Sequence, residues 1–189
     1  NILFILCCAP VITIGPAVSA LYTITMREAR HEGGYIFKPF FKAFKNNFKQ
    51  AFLLSILYLI IGASFVFGVK FWIEKPEFST VNQVILVITG VFAVIFIFSL
   101  LYVFALIARF DNTIFKSVKN AVMLAVFNLR ETFLLTLIHV IVIVLMIFTK
   151  GIWIFMMVGG FSVSAYINSL LFIRVFRQYE KIEGGNHDD

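Results

Sequence analysis

A chain of 189 residues that is 61% hydrophobic and only 14% charged is too apolar for an ordinary soluble domain, because soluble chains are roughly 45–50% apolar and about 25% charged. A net charge of +6 would indicate a nucleic-acid surface only if the charges shared a water-exposed face. Here they lie in short stretches between apolar runs. The composition therefore predicts an integral membrane protein and argues against nucleic-acid binding.

Five apolar stretches are long enough to cross a membrane, since a hydrocarbon core of about 30 Å needs roughly 20 residues in helix. The predicted spans are residues 1–26, 52–73, 83–108, 132–149 and 151–175. Only Lys150 separates the last two, which should form a tight helical hairpin. We predict an all-α fold, a polytopic transmembrane bundle of about five spans with cytoplasmic amphipathic linking helices. It forms one membrane domain over 1–183, and we expect the polar tail 184–189 to be disordered.

The first apolar run contains the sequence TIGPA at residues 13–17, with Pro10 upstream. Proline lacks a backbone donor and clashes with the preceding turn, so this helix should break or kink. The backbone carbonyls freed near Thr13, Gly15 and Pro16 could line a site, or neighbouring helices could satisfy them. The sequence leaves both readings open.

The link after this run, IFKPFFKAFKNNFKQAF at 36–52, interleaves lysines with phenylalanines. At 100° per residue five phenylalanines share one narrow stripe of a helix: Phe37, Phe40, Phe41, Phe44 and Phe48. Four lysines share a neighbouring stripe: Lys38, Lys42, Lys45 and Lys49. This pattern predicts an interfacial helix on the cytoplasmic leaflet, with rings in the acyl boundary and lysines toward anionic lipid headgroups. Alternatively the phenylalanines pack on other helices of the protein, and both roles can coexist.

Lysine and arginine are unevenly divided between the two sides of the predicted bundle. The links 27–50 and 109–131 and the carboxyl-terminal segment hold 13 of the 16, and the other side holds Lys70, Lys75 and Lys150. Basic residues are retained in the cytoplasm. We therefore predict a multi-pass protein whose amino end faces out and whose carboxyl end is cytoplasmic.

Two short sequences recur along the chain. IFK at 36–38 and FLLS at 52–55 are followed by IFK at 114–116 and FLLT at 133–136. Each pair brackets a basic link that leads into a span, as a parallel internal repeat would. Chance recurrence in such a biased composition is the alternative.

Polar side chains within the predicted spans are few. All ten acidic residues lie in links or tails, whereas ion-driven transporters usually hold an ionisable group at membrane depth. His139 is the candidate in the fourth span, and we expect its neutral ring to form a hydrogen bond across helices; a transport role is the alternative. In the fifth span small residues surround Tyr166 and Asn168, which favours helix packing over a polar pathway.

No enzyme motif is present. The sequence has no phosphate-binding glycine loop, no H-E-x-x-H and no G-x-S-x-G. We predict no catalytic, cofactor-binding or metal-binding residues, no cofactor and no enzymatic activity. The adjacent Cys7 and Cys8 rarely suit a disulfide, and we read them as small buried hydrophobes.

Several segments together resemble a known family. These are the apolar start at Asn1, TIGPA, YTITMREAR, NNFKQAFLLS and KNAVMLAVFNLRETFLL. The pattern resembles the YesL family of bacterial integral membrane proteins, a domain of unknown function. The resemblance implies a bacterial cell membrane, residues upstream of Asn1, and an association with carbohydrate importers of the ATP-binding-cassette class. It defines no site residues.

Two functions remain open on these grounds. The first is an accessory or scaffolding protein for carbohydrate uptake, in which the chain could also self-associate. The second is an autonomous transporter or channel for a small neutral solute, with TIGPA, His139 and Asn168 near its pathway. The chain is not expected to be the importer's permease, because the link 109–131 contains no glycine and so lacks the coupling-loop pattern E-A-A-x-x-x-G.

Overall fold

The computed structural model describes residues 1–74, 80–148 and 151–184, which are helical with no strand. In chain order their α-helices are α1 Ile2–Cys8, α2 Ile14–Ala29, α3 Phe37–Ile73, α4 Thr80–Arg109, α5 Ile114–Phe127, α6 Leu129–Phe148, α7 Ile152–Phe155 and α8 Phe161–Gly184. A 3₁₀ turn, Val11–Thr13, precedes α2. A π-helical turn, Met156–Gly160, joins α7 to α8.

Four of the described helical stretches are long and apolar enough to cross a membrane: Phe37–Ile73, Thr80–Arg109, Leu129–Phe148 and Met156–Arg177. They contain most of the second to fifth predicted spans. Lys150, the expected tip of the hairpin, lies outside the described residues, as do residues 185–189 of the tail. The chain is therefore an all-helical, membrane-embedded protein.

The first predicted span differs from the structure, which divides residues 1–26 between α1 and α2. Helix α2 has 16 residues, a length of only about 24 Å. The interruption falls at Ala9–Thr13, upstream of most of TIGPA, because Pro10 cannot continue the hydrogen-bond ladder of α1. The Thr13 hydroxyl oxygen lies 2.5 Å from the carbonyl oxygen of Cys7 and 2.7 Å from that of Pro10. Its one proton can be donated to either carbonyl, so the break has a local donor.

Helix α2 lies at the centre of the bundle, where it packs against α3, α4 and α8. Ten of its 16 residues are buried, and the small residues Ala17, Ser19 and Ala20 are fully enclosed. Tyr22 meets Phe172 of α8 edge-on, with ring centroids 5.2 Å apart. Small residues let helix backbones approach closely, which is how helices associate where lipid removes the hydrophobic drive between them.

Helix α3 runs without a break from the basic link into the membrane span. Its 37 residues extend about 55 Å, well beyond a hydrocarbon core of about 30 Å. The structure thus has one continuous helix where the sequence indicates an interfacial helix and a separate span. Pro39 sits in the first turn, where its missing donor is not needed, and the first glycine after it is Gly62.

The phenylalanine stripe of α3 is divided between two environments. Phe40 is only 2% exposed and belongs to the core, and Phe44 packs against that core. The other three rings, Phe37, Phe41 and Phe48, are exposed. The lysines at 38, 42, 45 and 49 are all exposed as well. Part of the stripe therefore packs within the protein, and part is free to meet lipid.

The second basic link folds differently from the first. Helix α5 ends at Phe127 and α6 begins at Leu129, with Asn128 outside both. The second copy of the repeated sequences has three more residues between IFK and FLLT than the first has between IFK and FLLS. The helix break at Asn128 falls within that longer interval.

Candidate functional site: a groove beside the central helix

Hydrogen bonds between polar side chains join the helices at many levels. Among the described residues, pairs that link different helices include Ser19–Asn47, Thr25–Ser169, Gln50–Ser117, Tyr58–Ser99, Tyr102–Thr132 and Asn120–Tyr179. The hydroxyls of Thr25 and Ser169 are 2.7 Å apart and buried. A buried hydroxyl without a partner would be costly in hydrocarbon, so such pairs favour one packing arrangement.

A groove of ≈ 310 Å³ opens beside α2, between α1, the start of α3 and the start of α8. Its walls are mainly apolar, with side chains such as Leu21 and Ile24. Polar groups line it at intervals: Asn1, Thr25, Glu28, Ser162 and Tyr166. Its volume is at the lower end of ligand-binding pockets. An apolar wall with a few hydroxyls suits a neutral or amphiphilic small molecule.

Asn1 lines this groove, and its contacts were not predicted from the sequence. Its amide nitrogen donates to the carbonyls of Met156 and Met157 at 2.8 and 2.6 Å. Both residues belong to the π-helical turn, where the wider helix disturbs the usual ladder of backbone hydrogen bonds. Asn1 thereby ties the first helix to the last span. An asparagine leading an apolar run was the only local signal.

The three residues of the predicted helix break do not line the groove. Thr13 pairs with nearby carbonyls, and Pro16 is buried in the first turn of α2. Gly15 faces α3 so closely that an added Cβ would collide with Ser55 and lie 2.9 Å from the carbonyl oxygen of Ala51. The glycine is therefore needed for the close approach of α2 to α3.

Among the described residues, His139 has no hydrogen bond across helices of the kind that the sequence analysis expected. Its Nδ1 lies 2.7 Å from the carbonyl oxygen of Leu135, one turn earlier in its own helix. The ring is half-buried and does not line the groove. A bond within α6 was available locally, so the histidine needed no partner from another helix.

Tyr166 and Asn168 lie on different faces of α8, as expected for residues two apart in a helix. Tyr166 lines the groove. Asn168 is only 1% exposed and forms a side-chain hydrogen bond with Tyr22. Its Oδ1 has no hydrogen-bond partner among the described residues. The structure thus brings Tyr166 to the groove and places Asn168 in the packed interior.

Arginines gather where α2, α4 and α8 approach the same end of the bundle, which we call the basic end (Arg27, Arg30, Arg109 and Arg177). The hydrogen bond from Arg30 lowers the pKa of the Glu32 carboxyl, and the charges of Arg30, Arg109 and Arg27 contribute. Within the described ranges no group of three His, Cys, Asp or Glu side chains could hold a metal ion. Cys7 and Cys8 are both free and half-buried.

Fold and groove together describe a helical membrane protein with a packed centre and a small side groove. A family model described as "Protein of unknown function, DUF624" matches residues 1–69. That segment contains α1, α2 and most of α3, and so includes the interrupted first helix and the basic link. No curated protein and no solved structure matches the chain.

Proposed function

We propose that this protein is an accessory or scaffolding protein of the bacterial cell membrane that works beside a carbohydrate importer. The observation that carries the scaffolding role is the shape of α3, which extends beyond the membrane thickness with four exposed lysines on its first half. This half is held against the packed bundle, because Phe40 and Ala51 are buried on its other side. A rigid helix that presents an exposed basic face beside a membrane anchor suits docking to a partner.

The uneven distribution of lysine and arginine supports placing this basic face of α3 in the cytoplasm. The carboxyl-terminal end of α8 then lies on the same side, since Arg109 and Glu180 are bonded at 2.9 Å at the basic end. Anionic headgroups of the inner leaflet would attract the exposed lysines of α3. The exposed rings of Phe37, Phe41 and Phe48 would rest in the acyl boundary.

Membership of the YesL family is part of this proposal and supplies its link to carbohydrate uptake. TIGPA and NNFKQAFLLS lie within the segment matched by the DUF624 model, whereas KNAVMLAVFNLRETFLL lies beyond it. The importer is inferred from that resemblance alone. The residues that line the groove do not themselves indicate a sugar.

A mild-detergent pull-down of the tagged full-length protein, with partners identified by mass spectrometry, tests the proposal. We expect stoichiometric recovery of an importer subunit from the native membrane. Replacing Lys38, Lys42, Lys45 and Lys49 by glutamine should reduce that recovery. The matched control Lys70→Gln, near the other end of α3, should not. Recovery of the protein alone, or only with further copies of itself, would contradict the proposal.

A second candidate function is autonomous transport of a small neutral solute, which the groove favours. The hydroxyl of Tyr166, which lines the groove, could bind a solute without any ionisable group at depth. Uptake of radiolabelled neutral sugars into liposomes containing the purified protein tests this candidate. Tyr166→Phe should slow uptake, and Tyr35→Phe, an exposed tyrosine in the link, is the control. Uptake equal to that of empty liposomes would exclude it for those sugars.

A further inference from the structure

A second, smaller pocket of ≈ 170 Å³ lies at the basic end and is separate from the groove. Its charged lining comes from three helices that are distant in the chain: Arg30 at the end of α2, Arg109 at the end of α4, and Arg177 and Glu180 of α8. Its floor includes Met26 and Phe176, each 2% exposed. Apolar floors of this kind exclude water and strengthen charge interactions above them.

The positive charge of this pocket is only partly neutralised. Glu180 accepts two hydrogen bonds from Arg109 through one oxygen, at 3.1 and 2.9 Å. Arg30 donates from Nη2 to Glu32 at 3.0 Å. Its Nε lies 2.9 Å from the other oxygen of Glu32, an ion pair without a hydrogen bond from that nitrogen. Arg177 is exposed and forms no hydrogen bond or ion pair with the described residues.

These groups leave donors for one small anion. Guanidinium groups are planar, permanently charged and matched to phosphate oxygens, which they often bind in pairs. The hydrogen bond from Arg30 lowers the pKa of the neighbouring Glu32 carboxyl, and the charges of Arg30, Arg109 and Arg27 add to this effect. The pocket is large enough for a phosphate group with some water, and too small for a whole nucleotide.

We propose that the pocket formed by Arg30, Arg109 and Arg177 binds a phosphate monoester group. The pocket lies at the ends of α2 and α4, and two sources could supply that chemistry. One is the headgroup of a lipid that ends in phosphate, and the other is a soluble phosphate or phosphate ester. This site is distinct from the lysines of α3 and does not depend on the accessory role.

Arg177 and Arg174 provide a matched pair of variants. Both are exposed arginines of α8, one turn apart, and only Arg177 lines the pocket. Arg177→Gln should weaken phosphate binding about tenfold, the effect of one lost charge-assisted hydrogen bond, and Arg174→Gln should leave it unchanged. Glu180→Gln removes the competing carboxylate and should tighten binding. Arg30→Lys keeps the charge but loses the planar donor set, so it should weaken binding.

Two probes distinguish the sources, both with the purified full chain. The first is calorimetric titration of inorganic phosphate into protein in an uncharged detergent and a phosphate-free buffer. The second is native mass spectrometry of lipid retained from phosphatidylcholine nanodiscs prepared with and without phosphatidic acid. Binding of inorganic phosphate with the expected order of variants supports the site and a soluble source. Retention of phosphatidic acid alone, with the same order, supports it with lipid as the source.

Two results would overturn the proposal. One is that neither inorganic phosphate nor phosphatidic acid binds the unmodified protein. The other is that Arg174→Gln weakens binding as much as Arg177→Gln, since diffuse attraction to a basic surface would then account for the result. Thermal unfolding of each variant in the same detergent checks that it is folded. Arg177→Gln should match the parent there because its side chain is exposed.

Discussion

The side-chain oxygen of Asn1 accepts hydrogen bonds from both the backbone nitrogen and the hydroxyl of Ser162, each across 3.2 Å. The same side chain donates to two carbonyls of the π-helical turn. One asparagine thus bridges residues more than 150 positions away and satisfies polar groups that lipid could not. It holds α1 to the last span although α1 itself has no buried residue.

Replacing Asn1 by leucine should destabilise the protein by about 1–3 kcal/mol, because the carbonyls of Met156 and Met157 would lose their partner in an apolar setting. The measurement is thermal or denaturant-induced unfolding of the purified protein in detergent. Asn46→Leu, at an exposed position of α3, is the control and should change stability far less. Equal effects of the two substitutions would show that the Asn1 contacts contribute nothing specific.

Gly15→Ala should cost about 1–3 kcal/mol, the usual range for overpacking a tight core. A methyl group there would collide with Ser55 and lie 2.8 Å from the ring of Phe104, so α2 and α3 would have to separate. Gly90→Ala in α4 is the matched control, because nothing lies within 4 Å of its added Cβ. That control should be neutral or stabilising by up to about 1 kcal/mol, since alanine favours helix over glycine. Unfolding curves in one detergent decide between the two sites, and an unaffected Gly15→Ala would contradict the close approach.

Thr132→Val should be more damaging than His139→Ala, although both residues lie in α6. The Thr132 hydroxyl is fully buried, 2.9 Å from the hydroxyl of Tyr102 and 3.0 Å from the carbonyl oxygen of Ala125. Valine keeps the shape but leaves these groups unpaired, at a cost of about 1–3 kcal/mol. His139 bonds only within its own helix, so its loss should cost under about 1 kcal/mol. If uptake of a solute fell with His139→Ala while stability did not, the histidine would have a role in transport after all.

Replacing Lys38, Lys42, Lys45 and Lys49 by glutamate should weaken retention of the first basic link in the cytoplasm. All four are exposed on α3, so the change alters charge without disturbing packing. Cysteine-accessibility mapping in intact cells measures the result, and a mixed or inverted labelling pattern is expected. The corresponding arginine variant keeps the charge and should keep the parent topology. An unchanged map for the glutamate variant would count against orientation by these residues.

Acidification should selectively weaken the basic end through Glu32. Because the bond from Arg30 lowers the pKa of this carboxyl from its ordinary 4.5, the ionised form favours the folded state. That contribution is present above pH 4.5 and disappears as the pH falls through the lowered pKa. The unfolding midpoint of Glu32→Gln should therefore lie below that of the parent at neutral pH and approach it in acid. Glu74→Gln, near the other end of α3, serves as the control; a pH-independent difference for Glu32→Gln would contradict the mechanism.

The sequence by itself determined the features that depend on local composition. Apolar length alone located the helices that contain the second to fifth predicted spans, because crossing hydrocarbon requires a continuous apolar helix. An interruption of the first apolar run was likewise predicted, although it falls near Pro10 and not within TIGPA. Pro16 is tolerated because it lies in the first turn of α2, where its missing donor is not needed. The distribution of lysine and arginine also predicts an orientation from the sequence alone. Retention of basic residues in the cytoplasm depends on the links beside each span and not on how the helices pack.

Tertiary structure alone decided which residues meet. Arg30, Arg109 and Arg177 line one pocket only because α2, α4 and α8 meet at the same end of the bundle. The positions of these residues in the sequence do not indicate that they are close in space. The continuity of α3 could not be read from its amphipathic pattern, because a helix of that pattern can lie on a membrane or continue into it. Burial of Phe40 in the core accompanies the second outcome. The physical reason is common to these cases: local sequence sets how far a helix runs in apolar surroundings, whereas close packing sets which of its faces find partners.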